Sequence, residues 1–380
     1  MKRINRTNPD LLTRVMLELT QASVLEREPI IPKGVEVDWD RLLDMSQEHG
    51  LTAWVWDSLT KMSLGQKLSR QQRIDWGLSF QEVIDGYERY KSVFSDLIKL
   101  CQENHIRILL LKGFGLSDLY PFPQLRSFGD IDVFPFDDYE KLSSLLGGND
   151  ETSDGKHSEF LFEGVEIENH KTIIYTHTRK YQLVSKYLDS TLSYVDYNDG
   201  GYYVLSAEAN LVFLLVHSLT HLNSIYFLSM RNVLDIAMFL YRNHDKLEPD
   251  RCEKLMRQLK LSKSFELFVY LCEWVSGLSF ADYHFCHIPQ KDIRRAYKML
   301  EYKEILNIPA FELPYFTQLK IRWKDYRKNG WKYKYMLTSK KQRIIKHFRF
   351  QSNLFLKMLL NVPMDQSLKI MMKQRLRHDI

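Results

Sequence analysis

Asp130 and Asp132 stand two apart in the run Gly129-Asp130-Ile131-Asp132-Val133-Phe134. In an extended strand successive side chains alternate faces, so both carboxylates point the same way. Two like charges held that close raise each other's proton affinity unless a cation lies between them, which makes Asp-x-Asp on a strand a natural divalent-metal arrangement. The same pair also occurs at strand ends where both acids are merely solvated. Here a further acidic pair follows in Val165-Glu166-Ile167-Glu168-Asn169-His170, again with both carboxylates on one face. Glu168 is the expected third ligand and Glu166 the alternative. Oxygen-only ligands favour Mg2+ or Mn2+ over zinc.

A second candidate pair is His217 and His221, four apart and therefore on one face of a helix. That spacing can hold zinc, but Ser218-Leu219-Thr220 between them lacks the glutamate of a metalloprotease helix. Three readings stay open for the pair: a structural polar network, a substrate or nucleotide contact, and a metal site. On a continuous helix Asp235 would return to the azimuth of His217 with Arg231 nearby. The run Asn223-Ser224-Ile225-Tyr226 is expected to break it into a helix pair.

These side chains need a scaffold, and the hydrophobic pattern describes an α+β one. Apolar residues at helical spacing mark residues 11–19 and 42–56, separated by Pro29, Pro32 and Gly34, and a long helix is expected from about Ser69 to Asn104. At Ile106 the pattern changes to a short apolar run, Ile106 to Leu111, that ends in Lys112-Gly113 and reads as a buried strand entering a turn. The Asp130–Phe134 strand follows. A helix from about Tyr139 to Leu146, capped by Asp137 or Asp138, is expected next, closed by Gly147-Gly148. Strands at Phe160–Phe162 and Val165–His170 should form a hairpin through Glu163-Gly164. From Ala207 the chain turns helical again. The organisation expected is a helical region over 1–105, a small mixed-sheet core over 106–206, helices over 207–318 and a basic, aromatic-rich helical region over 319–380. A strand, a Gly turn, a helix, an Asp-x-Asp strand and a Glu strand, in that order, form the plan on which two metals bridge a nucleoside triphosphate and an attacking oxygen.

Leu109-Leu110-Leu111-Lys112-Gly113, Leu119-Tyr120-Pro121 and Arg126-Ser127-Phe128-Gly129-Asp130-Ile131-Asp132-Val133 together resemble the core motif of the uncharacterised nucleotidyltransferase family, a branch of the polymerase β-like superfamily. The resemblance extends upstream to Trp39-Asp40-Arg41-Leu42-Leu43 and Glu48-His49-Gly50-Leu51. Downstream it takes in Ile167-Glu168-Asn169-His170, His217, His221, Arg231 and Asp235, covering about residues 35–242. It implies that Asp130 and Asp132 bind the metals and that Glu168 completes the triad and acts as base. It also implies that Gly113 lets backbone approach the triphosphate, and that Lys112 and Arg126 contact phosphate. Ser127, Gly129, His217, His221 and Arg231 complete the nucleotide-binding set that it suggests. Phe114 stands where the superfamily usually has Gly or Ser, and the gap from Gly113 to Asp130 is longer than its commonest form. The activity implied is Mg2+- or Mn2+-dependent transfer of a nucleoside monophosphate from an NTP to a hydroxyl or phosphate acceptor, with release of pyrophosphate. The alternative is a catalytically degenerate binding protein on the same fold. Relief of charge repulsion predicts that Asp132→Asn abolishes transfer yet leaves the fold intact or slightly more stable.

Composition bounds the remaining classes. A 380-residue chain with 44% hydrophobic and 27% charged residues, 16 Gly and 11 Pro has material for a real core, which excludes disordered and collagenous classes. The longest charge-free stretch, Ala209 to Met230, holds too many polar residues for a bilayer span. The basic start leads into Asn8-Pro9-Asp10 and not into an apolar run, so no export signal is expected and a cytoplasmic location is. Cys101, Cys252, Cys272 and Cys286 match no metal or disulfide spacing and are expected as buried thiols. The net charge of +5 hides an asymmetry: residues 320–380 carry 17 Lys and Arg against 3 Asp and Glu, on an otherwise acidic body. Interleaved basic and aromatic residues over 320–350 suit either an anionic partner (nucleic acid or membrane surface) or a solvated helical face that docks on the body. A nucleic-acid acceptor guided by that segment is a third reading.

Overall fold

The computed structural model describes residues 9–31, 34–62, 68–147, 157–174, 179–222, 228–300 and 330–336. Four helices open the chain: α1 (Pro9–Val24), α2 (Trp39–His49), α3 (Thr52–Lys61) and α4 (Arg70–Glu103). The long α4 starts where its sequence directs. Ser69 accepts from the Gln72 amide while the Gln72 side chain accepts from the Ser69 amide, a reciprocal cap that satisfies two otherwise orphaned donors.

The core follows as β1 (Leu109–Leu110), β2 (Ile131–Phe134), α5 (Tyr139–Leu145), β3 (His157–Phe162), β4 (Val165–His170), α6 (Arg179–Thr191), β5 (Asp196–Asn198) and β6 (Tyr202–Val204). The strands form one six-stranded sheet in the order β3-β4-β2-β1-β6-β5. The β2–β4 and β1–β6 pairs are parallel and the others antiparallel, so the sheet is mixed. Glu163 and Gly164 turn the β3–β4 hairpin with φ of 49° and 80°, the successive positive angles that match strand twist. The ladder of β3 begins at His157, three residues earlier than the expected strand, and this brings His157 opposite His170. Asp138 occupies the N-cap of α5 without a side-chain cap bond. Asn169 anchors the helix instead, donating to the Tyr139 carbonyl at 3.0 Å and to Ser143 Oγ at 2.8 Å. Gly147 closes it with φ of 101°, while Gly148 lies outside the described residues.

Alternation along the strands divides the sheet by face. Ile108, Leu110, Ile131, Val133, Phe160, Val165 and Ile167 pack with Tyr90, Val93, Phe94 and Leu97 of α4 in one core. On the opposite face Leu109, Leu111 and Phe134 join a larger helical core, and over β2 and β4 that same face carries the acids. The larger core is built by α1 to α3 with α7 (Ala207–His221), α8 (Met230–Arg242), α9 (Pro249–Gln258), α10 (Ser262–Ser276) and α11 (Gln290–Leu300). The first part of the charge-free stretch, up to His221, lies in α7, which is buried from Leu211 to Val216 on every side, the pattern of a central helix. No helix among the described residues is long and apolar enough to cross a membrane. Residues 223–226, the expected helix break, lie outside the described residues. Cys101, Cys252 and Cys272 are buried and Cys286 half-buried, all as free thiols.

His49, at the end of α2, binds the helical regions together. Its Nδ1 accepts from the Met230 amide at the start of α8, and the side chain is fully buried. Burial pushes its pKa down to about 3, against a hydrogen bond with the Leu300 backbone that pulls the other way. The unfolded chain takes up this proton below about pH 6.5, whereas the folded protein does not until about pH 3. The stability His49 protects is therefore complete above pH 6.5 and falls with pH between those values, by up to about 1.4 kcal/mol per pH unit. Urea denaturation at pH 7 and pH 5 should show a stability loss that a His49→Phe variant lacks. An equal loss in both proteins would place the acid sensitivity elsewhere.

Of the basic C-terminal region, residues 330–336 are described, and part of this segment packs into the body while Lys334 stays exposed. Trp331, Tyr335 and Met336 are buried, and Asp292 of α11 accepts from Lys334 Nζ at 3.1 Å and Tyr335 Oη at 2.8 Å. Residues 320–329 and 337–350 of the basic segment lie outside the described residues.

Candidate active site

The parallel register of β2 and β4 sets Asp132 directly beside Glu168, as Ile131 stands beside Ile167. Carboxylate oxygens of Asp130, Asp132 and Glu168 lie within 4.8 Å of one another. Of the two glutamates offered by β4, Glu168 is the one grouped with both aspartates. Glu166 is exposed and groups with Glu168 and with Glu159 of β3. Burial and the surrounding acids, Glu159 first among them, raise the Glu166 pKa, the signature of surplus negative charge on this face.

Gly113 forms one wall of the acidic site. Its φ is 63°, and a Cβ there would sit 3.2 Å from the Asp130 carbonyl oxygen and 3.8 Å from Asp132 Oδ2. Glycine is thus required both by the backbone angle and by the space in front of the aspartates. Gly113→Ala is expected to cost about 1–2 kcal/mol of stability and to weaken divalent-cation binding. Thermal denaturation with and without Mn2+ checks both effects, and an unchanged cation response would remove Gly113 from the site wall. Gly129 faces open space and makes no comparable approach.

Lys112 supplies a cation to the cluster. Its Nζ lies 2.6 Å from Asp132 Oδ2 and 3.4 Å from Asp130 Oδ2, with only 13% of the side chain exposed. Burial by itself would lower its pKa, but the charges of Asp132, Asp130 and Glu168 overcome that and raise it. The expected phosphate contact is therefore placed on the carboxylates.

Two histidines complete the cluster, and the sequence reading assigned neither a role. His170 is wholly buried, with Nε2 2.9 Å from Asp132 Oδ1 and 3.1 Å from Glu168 Oε2. His157 stacks on it at 5.2 Å between ring centroids, its Nε2 3.7 Å from Glu168 Oε1. Burial would raise the Glu168 pKa, yet the His170 hydrogen bond and the Lys112 charge hold it well below the usual carboxylate range. The signal was present: residues 166, 168 and 170 alternate onto one face, so His170 had to join the acids.

The other expected nucleotide-binding residues form a clamp behind the site. Arg126 is buried and donates from Nε and Nη2 to the two oxygens of Asp235 at 2.8 and 2.7 Å, and Tyr120 Oη donates to the same carboxylate at 2.7 Å. Its guanidinium is thus directed to an internal ion pair rather than to a phosphate. Ser127 Oγ donates to the Gly50 carbonyl at 3.1 Å, and Arg231 Nη1 donates to the Ser127 carbonyl at 3.0 Å. Burial, with the nearby Arg126 charge, lowers the Arg231 pKa. A side chain at Gly50 would be strained, because its φ is 67° and a Cβ would meet Ser127 Oγ at 2.7 Å. His217 and His221 face each other with Nε2 atoms 3.0 Å apart, and no third metal-capable side chain joins them among the described residues. Asp235 and Arg231 lie on a separate helix, directed to Arg126 and Ser127.

A mixed sheet flanked by helices, with Asp-x-Asp at the entry to one strand and a glutamate beside it on the next, is the plan of a nucleotidyltransferase fold. The chain belongs to the uncharacterised nucleotidyltransferase family, whose model matches residues 35–277. The match runs past Arg242, where the sequence resemblance ended, through the whole of α10. No curated protein and no solved structure gives a match to the chain.

Proposed function

We propose that the protein transfers a nucleoside monophosphate from an NTP to a hydroxyl or phosphate acceptor, releasing pyrophosphate. The observation that carries this reading is the convergence of Asp130, Asp132 and Glu168 on one sheet face in front of a glycine that leaves room for a ligand. Three carboxylates beside two further acids fit a divalent cation of the Mg2+ or Mn2+ kind. Such a cation, when bound, neutralises the phosphate oxygens around the reacting phosphorus.

The residues of the chain divide the remaining work. Asp130 and Asp132 would hold the cation at the triphosphate end of the site, and Gly113 leaves room for phosphate oxygens there. Glu168, held ionised, orients the acceptor oxygen and takes its proton as the bond to the α-phosphorus forms and the bond to pyrophosphate breaks. Lys112 balances the aspartates, and Arg231 holds the Ser127 backbone behind them. Arg126 holds the strand-entry loop.

The test is a thermal-shift panel of ATP, GTP, CTP and UTP with and without Mg2+ or Mn2+, on wild type and Asp132→Ala, read beside pyrophosphate release. A nucleotide at about a hundred times its dissociation constant adds roughly 2.7 kcal/mol. One NTP should stabilise the wild type only with the cation and the variant not at all.

One observation favours a second reading. Lys112 already balances Asp132, an arrangement that also suits a binding protein on this fold whose residues 320–350 dock on nucleic acid or an anionic membrane. That reading expects salt-sensitive binding lost on deleting residues 337–380 and no pyrophosphate release.

A further inference from the structure

We propose that the site takes a first-row transition cation through a mixed nitrogen and oxygen ligand set, Asp132, Glu168 and His170 with His157 in reach, in place of an oxygen-only Mg2+ site. The inference rests on the metal-dependent reading above and names the cation class that reading would use. Octahedral coordination with metal–ligand bonds of about 2.1 Å places neighbouring donor atoms about 3.0 Å apart. His170 Nε2 lies 2.9 Å from Asp132 Oδ1 and 3.1 Å from Glu168 Oε2, the spacing of adjacent corners. Two carboxylates and an imidazole on neighbouring parallel strands are set there by register, since Asp132 pairs with Glu168 and His170 follows two residues on.

The division of Asp132 between its neighbours supports the same assignment. Its Oδ2 goes to Lys112 and its Oδ1 to His170, so the lysine serves one side of the carboxylate and the imidazole marks the other. His157 offers a second nitrogen from the adjacent strand, grouped with Glu168 and His170 within 4.8 Å. Glu168 belongs to both this group and the Asp130–Asp132 group, and can bridge them. Mg2+ prefers oxygen and binds imidazole poorly, whereas the first-row cations accept it with affinity that rises from Mn2+ to Cu2+ and is still high at Zn2+.

Full-length protein loaded with Mn2+ alone, and with Mn2+ plus each NTP, should give electron spin-echo modulation from a directly bound histidine nitrogen. Labelling histidine alone with 15N should convert that modulation to the 15N pattern in the unmutated protein. His170→Gln should abolish it and His157→Asn reduce it. Calorimetry should show Mn2+ binding at least about tenfold tighter than Mg2+. If His170→Gln fails to fold, the isotope pair on the wild type still decides. Bound Mn2+ with no histidine nitrogen overturns the mixed ligand set and leaves the carboxylate site standing. No binding of Mn2+ or Mg2+, with or without NTP, overturns the metal-dependent reading itself.

Discussion

Asp132→Asn is expected to lower nucleotidyl transfer by at least about a thousandfold, the scale on which removing a charge that serves phosphoryl transfer acts. It is also expected to destabilise the fold by roughly 3 kcal/mol. The second effect reverses what charge repulsion alone predicts. Asp132 is fully buried, but its two oxygens face Lys112 at 2.6 Å and His170 at 2.9 Å, so the carboxylate is the partner of a buried ammonium rather than an uncompensated charge. Neutralising it leaves Lys112 with Asp130 at 3.4 Å, on a side chain that is 30% exposed. Asp130→Asn is the matched control: a comparable loss of transfer with under about 1 kcal/mol of stability, because that pair is partly solvated. Pyrophosphate release and urea denaturation of both variants separate the two effects. Turnover retained in Asp132→Asn would remove the aspartate from the chemistry.

Asp235→Ala should cost about 3–5 kcal/mol although it lies on a helix outside the sheet. The change strands the Arg126 guanidinium, 4% exposed, with no counter-ion, and takes the acceptor from Tyr120 Oη. Burial by itself would lower the Arg126 pKa and the Asp235 charge more than offsets that in the intact pair; with Asp235 gone the guanidinium still stays charged, because its intrinsic basicity is too high for it to lose a proton near neutral pH. The double variant Arg126→Met with Asp235→Leu should recover most of the loss, since two apolar groups of similar size replace a buried pair at little net cost. A double-mutant cycle in urea should therefore give a coupling above about 2 kcal/mol. Additive losses would mean that the two side chains do not act as a pair.

What could be read in the sequence was local. Ser69 and Gln72 are three apart and cap α4 as their types dictate, Glu163-Gly164 turns a hairpin, and the period of a strand puts Asp130 with Asp132 and Glu166 with Glu168. What could not be read was which distant residue each charge meets. Lys112 and Arg126 look alike in the sequence, basic residues beside turns. One balances an acid 20 residues on in an adjacent strand, the other an acid 109 residues on in a helix, and only tertiary packing distinguishes them. His170 was legible by alternation but needed the β2–β4 register to show that it reaches Asp132 as well as Glu168.

Arg231 and Asp235 are one helical turn apart on α8, and they grip two consecutive residues, Ser127 and Arg126, of the loop that delivers the acid-bearing strand. The smallest transplantable unit of this site is therefore discontinuous. A graft of the strands onto another scaffold would have to carry a turn of α8 from about a hundred residues downstream. A fragment that stopped at residue 206 would keep the buried guanidinium and discard its anion. Substitutions at 126 and 235 should accordingly be inherited together, as one trait written in two places.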